Sequence, residues 1–505
     1  MKTYLIALFS NYAGLGLSMA IQIFLLPFLL SSLGPKLTGL YYIFITISNF
    51  VAIGIGWLSG AGIFFLASTD SKEGTKAVQE VHWIIFLGFA FYGTVVLLIT
   101  VIAGLTAGSW WLTDASRAMI TEGRNACFLL GIYIWLNYLH AADASLFIGI
   151  LKQGWTNFYR IISQLIFIVT VLLLLSEMRL DLLMLANCCG ALVSLVVARF
   201  HLRMIGRLDR IRLKYPDKAL IKRIFFAKGL PFFLYGIAQM ALVYGDVLII
   251  GAFLGSEQVA AFIVIWKIPE VVGLLAGRIS EVLSPYLTRI HSRKDETTTI
   301  LTYLCTSRLQ HYIAIVSGIA YGYFGAPIVH YWVGDAFRPE KAWVYWIAGM
   351  VLAFQIVNKH DVMLHYALAR LKKIVVVLFI ELVLKMILTL VLFKWMGVVA
   401  PLAAILIIQF LGMTWVYRYL ASQQLKIEWR RWLGQVYVWV GALFIAVGCF
   451  VTSLNWLSVY TDYTEKYFIL TFVIYILAAS SVVMIMEKLQ KGNGLFKVSE
   501  LLANA

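Results

Sequence analysis

Four ionisable residues recur on one face of a segment that is otherwise apolar enough to cross a membrane. They are Lys267, Glu270, Arg278 and Glu281, all within residues 259–289. At about 100° per residue of helix they share an arc of roughly 80°. Each cation is followed three residues later by a carboxylate, which is the spacing of an ion pair on a helix. We call these four residues the charged seam and predict that they line a wet substrate path, with two structural ion pairs as the alternative.

Lysine and arginine at bilayer depth are suited to binding an anionic group. A charge that faces lipid there costs several kcal/mol, so such side chains must point into the protein or into a water-filled cavity. We expect Lys267, Arg278 and Lys359 to contact the phosphate of a substrate. Their neighbouring carboxylates are expected to keep these cations from binding the phosphate irreversibly. Glu381 and Lys385, four residues apart, are expected to form a salt bridge within one helix.

Carboxylates in such segments are candidates for coupling transport to an ion. The predicted ion-coupling residues are Asp143, Asp246, Asp361, Glu270 and Glu281. Asp143 and Asp246 have no obvious cation nearby in the sequence, and buried carboxylates that lack one tend to take up protons. The segments also hold more carboxylates than cations. We therefore expect protonation of one or two carboxylates to accompany binding of an anion, with sodium as the main alternative.

The elements that position these residues must be membrane helices. The chain of 505 residues is 62% hydrophobic and 13% charged, whereas soluble domains are about 25% charged. A bilayer is crossed by about 20 apolar residues, and about fourteen such segments can be placed. Pro269 lies inside the segment that carries the charged seam and is expected to free the Ile265 carbonyl. The predicted spans are 4–32, 40–67, 82–107, 119–151, 156–176, 181–205, 229–254, 259–289, 303–333, 343–369, 374–394, 400–421, 433–454 and 466–487.

Other kinds of chemistry are poorly supported by the residue pattern. The five cysteines all lie in apolar segments without disulfide or metal-ligand spacing, so we expect no disulfide framework, metal or cofactor. The carboxylates are spread over several spans rather than paired at an interface, and the external loops are short. The sequence therefore favours a protein that is not an enzyme.

The distribution of basic residues predicts the orientation of the chain. Lysine and arginine concentrate in alternate loops and in both tails, which places both termini in the cytoplasm. The net charge of +16 is then a consequence of topology and does not indicate a nucleic-acid partner. The densest basic stretch, residues 206–228, is predicted to be a cytoplasmic linker resting on anionic lipid head groups, with a docking surface for a partner or an anionic head group as the alternative.

An internal repeat divides the chain at this linker. Residues 33–44 align without gaps on residues 254–265, each copy beginning with Leu-Gly in the turn between two spans. Because both copies occupy the same topological position, the repeat is parallel. We predict an all-α polytopic membrane protein with an N-terminal lobe of six helices (1–205), a second lobe of six (229–421), and two further helices with a tail (422–505).

The sequence around these turns resembles a known family of exporters. The runs LLPFLLSSLGPKLTGLYYIF, GIGWLSGAGIFFLAS and YGDVLIIGAFLGSEQVAAFIVIWKI are similar to those of the polysaccharide-transporter branch of the multidrug/oligosaccharidyl-lipid/polysaccharide exporter superfamily, which includes the O-antigen (Wzx-type) flippases. The resemblance implies two lobes in a V, alternating access, and a polyprenyl-pyrophosphate-linked oligosaccharide as cargo. It also implies polysaccharide biosynthesis at the bacterial inner membrane, with membrane lipid, a polymerase and chain-length proteins as partners.

Three other functions stay open from the sequence. One is a cation-coupled multidrug exporter, and another is a flippase of the lipid II type. The lipid II branch places arginines in its first two helices, whereas this chain has none in spans 4–32 and 40–67. A third, of a different class, is a scaffold of a glycan-assembly complex that transports nothing.

Overall fold

The computed structural model of the protein is all-α over the residues it describes, with no strand among them. Those residues are 2–72, 75–106, 117–150, 152–174, 178–207, 230–292, 295–334, 341–368, 371–461 and 468–490. The predicted basic linker, from residue 208 onward, and the C-terminal tail beyond residue 490 lie outside them.

Fifteen α-helical segments follow one another along the described chain, and the first of them contains two helices joined by non-helical backbone at Gly34. They are α1 (Lys2–Lys72, bent at Gly34), α2 (Thr75–Leu105), α3 (Arg117–Gly149), α4 (Gln153–Leu173), α5 (Leu180–Met204), α6 (Leu230–Leu254), α7 (Ser256–Ser292), α8 (Glu296–Val333), α9 (Trp343–Ala367), α10 (Leu371–Met396), α11 (Ala400–Ile408), α12 (Thr414–Leu425), α13 (Trp429–Trp432), α14 (Val438–Thr461) and α15 (Phe468–Leu489). Two π-helical turns, Gln409–Met413 and Leu433–Tyr437, join α11 to α12 and α13 to α14.

The helices are those of a multi-pass membrane protein, as the sequence predicts. Among the described residues, 10 helical segments are long and apolar enough to cross a membrane. Each predicted span overlaps a helix, and the spans 374–394 and 400–421 share the single continuous segment Lys372–Leu425. Helices α3 and α9 are not among the 10. They are the helices that carry Asp143 and Asp361, and their polar residues lower the mean hydropathy.

The chain divides into two compact units, residues 1–260 and 261–505. In the first unit α3 packs against α2 and α5, α4 packs against α5, and α1 packs against α6. In the second unit α8 packs along α9 and also contacts α14 and α15, while α9 contacts α12. Helix α6 thus lies in the first unit, and the division into lobes 1–205 and 229–421 stays a prediction.

The glycines in the two turns that carry the repeat both have a positive φ angle. Gly34 bends α1 with φ of 74°, and Gly255 separates α6 from α7 with φ of 89°. Glycine adopts this region without the steric cost that a Cβ would bring. A Cβ on Gly39, five residues after the first turn, would lie 1.6 Å from the carbonyl oxygen of Ser256. The two turns of the repeat therefore lie side by side in the first unit, held by a backbone contact that only glycine permits.

Replacement of Gly39 tests this contact. We expect Gly39→Ala to lower the thermal unfolding midpoint of the purified protein, because the methyl group forces two backbones apart at a cost of about 1–3 kcal/mol. Gly16→Ala is the control, since Gly16 lies in the helix before Gly34 with nothing within 4 Å of the added atom. An unfolding midpoint that falls equally in both variants would contradict the proposed contact.

Candidate functional site

The charged seam lies on α7 and forms the two ion pairs predicted from its spacing. Lys267 Nζ donates to Glu270 Oε2 at 2.9 Å. Arg278 Nη1 donates to Glu281 Oε2 at 2.5 Å. Both predicted pairs are confirmed as contacts, and their use in substrate binding stays a prediction.

A third cation reaches the charged seam from a neighbouring helix. Lys359 on α9 donates from Nζ to Glu281 Oε1 at 2.9 Å. Glu281 therefore uses one carboxylate oxygen for Arg278 and the other for Lys359. The side chain of Arg278 is 33% exposed, that of Glu281 is 32% exposed and that of Lys359 is 34% exposed. Two accessible cations share a single carboxylate, so this triad has a net positive charge and an anion can reach it.

The position of Lys359 depends on the absence of a side chain on α7. A Cβ built on Gly277 would lie 2.4 Å from Lys359 Nζ and 2.8 Å from its Cδ. The lysine chain therefore crosses α7 at Gly277 on its way to Glu281. Glycine at this position lets a cation from α9 join the cations of the charged seam.

The other ion pair of the charged seam is buried and adjoins an apolar cavity. Lys267 is 5% exposed and Glu270 is 18% exposed. The residues that follow Lys267 on α7, Ile268 and Pro269, line a cavity of about 460 Å³ together with mostly apolar residues of α8 and α15. The charged seam thus passes along α7 from the accessible ion pair of Arg278 and Glu281 to the edge of an apolar cavity.

The backbone acceptor that Pro269 frees is used within the second unit. Proline has no N–H for the carbonyl four residues earlier, which is that of Ile265. The Tyr321 hydroxyl donates to the Ile265 oxygen at 2.5 Å. The expectation of a free acceptor is therefore confirmed, and Tyr321, which also lines the cavity, satisfies it.

Asp361, a predicted ion-coupling residue, lies in a sealed network. Its Oδ2 accepts from Arg418 Nε at 2.9 Å, and its Oδ1 accepts from the Tyr303 hydroxyl at 2.6 Å. The Arg418 guanidinium lies 4.1 Å from the ring centre of Trp432 and is itself 2% exposed. Removing one partner of a fully enclosed pair of this kind is destabilising, because it leaves a buried charge.

His360 joins the sealed network to α7. Its Nδ1 lies 3.0 Å from Ser280 Oγ, and its Nε2 lies 3.3 Å from Thr306 Oγ1. The ring stacks on Tyr303 with centres 5.2 Å apart and planes at 9°. Consecutive residues of α9 therefore point to three places: Lys359 to the accessible triad, His360 to α7 and α8, and Asp361 to α12.

A second enclosed ion pair attaches the C-terminal helices to the second unit. Arg308 on α8 donates to Glu487 on α15 from Nε at 2.8 Å and from Nη2 at 3.1 Å. Its Nη1 donates at 2.9 Å to the carbonyl of Gln435, which lies in a π-helical turn. Such turns displace a carbonyl from the regular helical ladder. One arginine thus binds α15 and the start of α14 at the same time.

Glu381 on α10 uses the other π-helical turn. Its carboxylate accepts from Gln409 Nε2 at 3.1 Å and from the Tyr417 hydroxyl. Gln409 opens the turn Gln409–Met413. These partners come from outside its own helix, and the salt bridge to Lys385 stays a prediction.

In the first unit, Asp143, which has no cation close to it in the sequence, is paired with residues of other helices. Asp143 is fully buried; its Oδ1 lies 3.1 Å from His82 Nε2, and its Oδ2 accepts from Arg199 Nε at 3.1 Å. The Arg199 guanidinium also lies 4.2 Å from the centre of the Phe86 ring. The partners come from α2 and α5, far along the chain, where neighbour spacing gives no signal. Asp246 is likewise buried, on α6, and its coupling role stays a prediction.

Sequence reasoning missed two buried arginines, Arg308 and Arg418. Both are at most 2% exposed and lie inside helices α8 and α12. Each is near one end of its predicted span, where a charge is easily assigned to a loop. Their position within the apolar runs 303–333 and 400–421 was the available signal.

The fold is shared with transporters of known structure. No family model matches the sequence, and no curated protein matches it. A structure titled lipid II flippase MurJ, inward closed conformation, is 15% identical, with a TM-score of 0.69, covering 96% of this chain and 98% of that one. An inward-facing multidrug resistance MATE family transporter of the MOP superfamily is 12% identical, with a TM-score of 0.66 and coverage of 82% and 95%.

A third similar structure is described as a MOP superfamily transporter from Pyrococcus furiosus whose reverse polarity of the binding pocket suggests a different function. It is 12% identical, with a TM-score of 0.61, covering 83% of this chain and 94% of that one. At these identities the similarity establishes the fold. The chain therefore has the polytopic fold seen in MOP-superfamily structures.

The enclosed and the accessible ion pairs are expected to respond differently to truncation. Asp361→Ala leaves Arg418 charged and buried, so the free energy of unfolding should fall by about 3–5 kcal/mol. Glu281→Ala removes an accessible partner and should change the stability by about 1 kcal/mol or less. Thermal unfolding of the two purified variants measures both effects. Equal losses would contradict the assignment of Asp361 to a structural network.

Proposed function

We propose that the protein is a flippase that moves a polyprenyl-pyrophosphate-linked oligosaccharide across a bacterial inner membrane by alternating access. The observation that carries this proposal is the triad of Arg278, Glu281 and Lys359, in which two accessible cations share one carboxylate. Guanidinium and ammonium groups are the standard protein partners of phosphate oxygens.

The cargo binds by exchange of anions. Arg278 and Lys359 each make a charge-assisted hydrogen bond to Glu281. A phosphate that enters the triad replaces the carboxylate oxygens on both cations, and Glu281 competes for them again when the cargo leaves. The internal carboxylate therefore keeps both cations paired in the empty protein and favours release of the cargo.

The apolar cavity beside the charged seam supports an amphiphilic cargo. Ile268 and Pro269 line this cavity one turn or less from the Lys267–Glu270 pair. A lipid-linked head group brings an anion and an apolar chain together, and this part of α7 offers a surface for each. A small cationic drug would find no such complement in the triad, whose net charge is positive.

A lipid II-type flippase is the second candidate. The structure titled lipid II flippase is matched over nearly the whole chain, whereas the multidrug transporter structures leave about a sixth of it unmatched. This difference supports a flippase over a multidrug exporter. The first two predicted spans carry no arginine, unlike those of the lipid II branch, and this favours the oligosaccharide cargo over lipid II.

Substitution of the triad tests the proposal. In cells that depend on this gene for surface glycan, Arg278→Gln and Lys359→Gln should each lower glycan export about tenfold or more and cause the lipid-linked precursor to accumulate, because each removes a phosphate contact. Arg179→Gln is the matched control, since Arg179 pairs with Asp181 and is 53% exposed. Normal export by both triad variants, at normal protein abundance, would contradict the proposal.

Ion coupling is tested with purified protein in vesicles. The site has a net charge of +1, from the three cations Lys267, Arg278 and Lys359 and the two carboxylates of the charged seam. A pyrophosphate diester brings about two negative charges, so the uptake of one proton or other monovalent cation makes the loaded site neutral. Flipping of lipid-linked glycan extracted from the cells should accelerate under an imposed pH gradient, and less so under a sodium gradient. The double variant Asp143→Asn, Asp246→Asn should lose this response. Indifference of the wild type to both gradients would remove ion coupling.

A further inference from the structure

We propose that four buried polar residues, Gln310, Ser280, His360 and Thr306, form an inner clamp that positions the two cations of the triad for binding a phosphate. The proposal rests on the proposed function and deepens it. It makes these four side chains positioning residues, which hold the anion site without contacting the cargo.

Exchange of the anion removes the group that links the two cations of the triad. In the empty protein Glu281 accepts from Arg278 with one oxygen and from Lys359 with the other. When a phosphate displaces this carboxylate, the link between α7 and α9 at this point is lost, and the two cations repel each other until both contact the cargo. A second contact between α7 and α9, which the cargo does not displace, is therefore needed to keep both cations at one phosphate.

The structure contains such a contact one residue away from the triad on each helix. Ser280 precedes Glu281 on α7, and His360 follows Lys359 on α9. Ser280 Oγ lies 3.0 Å from His360 Nδ1, and each of these two residues is 3% exposed. The contact of Lys359 with Glu281 is about a third exposed on both sides. A cargo anion therefore meets the accessible contact and leaves the enclosed one intact.

Gln310 on α8 binds the turn of α7 that carries the triad. Its Nε2 donates at 3.1 Å to the Ala276 carbonyl and at 3.1 Å to Ser280 Oγ. Gly277 and Arg278 lie between these two partners. Ala276 also packs in an apolar cluster with residues of α8 and α9, but apolar packing is non-directional and does not fix the register of two helices. The hydrogen bonds of Gln310 fix it at the turn from which Arg278 projects.

The hydrogen bonds of the inner clamp follow one order. The Thr306 hydroxyl donates to the Thr302 carbonyl at 2.8 Å, so its oxygen accepts from His360 Nε2 at 3.3 Å. The ring Nδ1 then accepts from the Ser280 hydroxyl, whose oxygen in turn accepts from Gln310. This order assigns His360 the neutral form with its hydrogen on Nε2. The inner clamp therefore adds no charge beside the triad and does not compete for the anion.

The test is binding of inorganic pyrophosphate to the purified full-length protein, measured by calorimetry. Ser280→Ala should weaken binding about tenfold, as expected when a hydrogen bond that holds the site is lost. Ser280→Thr keeps the hydroxyl and should restore binding. Ser194→Ala is the matched control, because Ser194 is 2% exposed and donates to the Tyr159 carbonyl of another helix, within the first unit. It should bind pyrophosphate as the wild type does.

A double variant separates positioning from a general effect on folding. In the Lys359→Gln background one of the two cations is gone, so Ser280→Ala should not weaken pyrophosphate binding further. Gln310→Leu provides a second single variant. It removes the donor to α7 together with Gln310 Oε1, a buried acceptor without a partner among the described residues. Binding should therefore fall about tenfold while the unfolding midpoint changes little.

Binding at the wild-type level in either Ser280→Ala or Gln310→Leu would overturn the proposal and leave the triad as the anion site. An equal loss in the Ser194→Ala control, or the same further loss in the Lys359→Gln background, would also contradict it, because both indicate a general effect on folding. Absence of pyrophosphate binding in the wild type would leave the inner clamp no anion site to position and would refute it too. The export test of Arg278→Gln and Lys359→Gln decides the proposed function separately.

Discussion

The cost of placing a charge at bilayer depth is the constraint on which this structure depends. An ionised side chain that meets lipid there is unfavourable by several kcal/mol, so a charged residue inside a span needs a partner or water. In the second unit Arg308 and Arg418 are enclosed with carboxylates and carbonyls from other helices. These ion pairs determine which helices lie next to each other. A charged residue inside a span is therefore accommodated by a partner on another helix. This requirement favours particular helix contacts and allows charged residues to be kept in the bundle.

The enclosed and the accessible charges of the second unit are neighbours in sequence but differ in what they can do. Asp361 is fully buried with Arg418, and Lys359, two residues earlier, is about a third exposed and shares Glu281 with Arg278. A rigid network can hold α9 in place so that Lys359 reaches across Gly277. An enclosed structural ion pair thus lies two residues along α9 from an accessible ion pair.

The sequence by itself determined the membrane class, the positions of the spans, the i, i+3 pairs of the charged seam and the glycine turns at Gly34 and Gly255. All of these depend on residues near each other along the chain, where helical periodicity and glycine's backbone freedom are sufficient. Only the tertiary structure decided the partners of Asp143 and Arg308, the latter 179 residues from Glu487. Those contacts depend on which helices pack together and on how each is rotated about its axis. Many rotations of a helix about its axis bury nearly the same apolar area, so the hydrophobic pattern does not distinguish them. The buried ion pairs distinguish them, because each pair forms at one rotation.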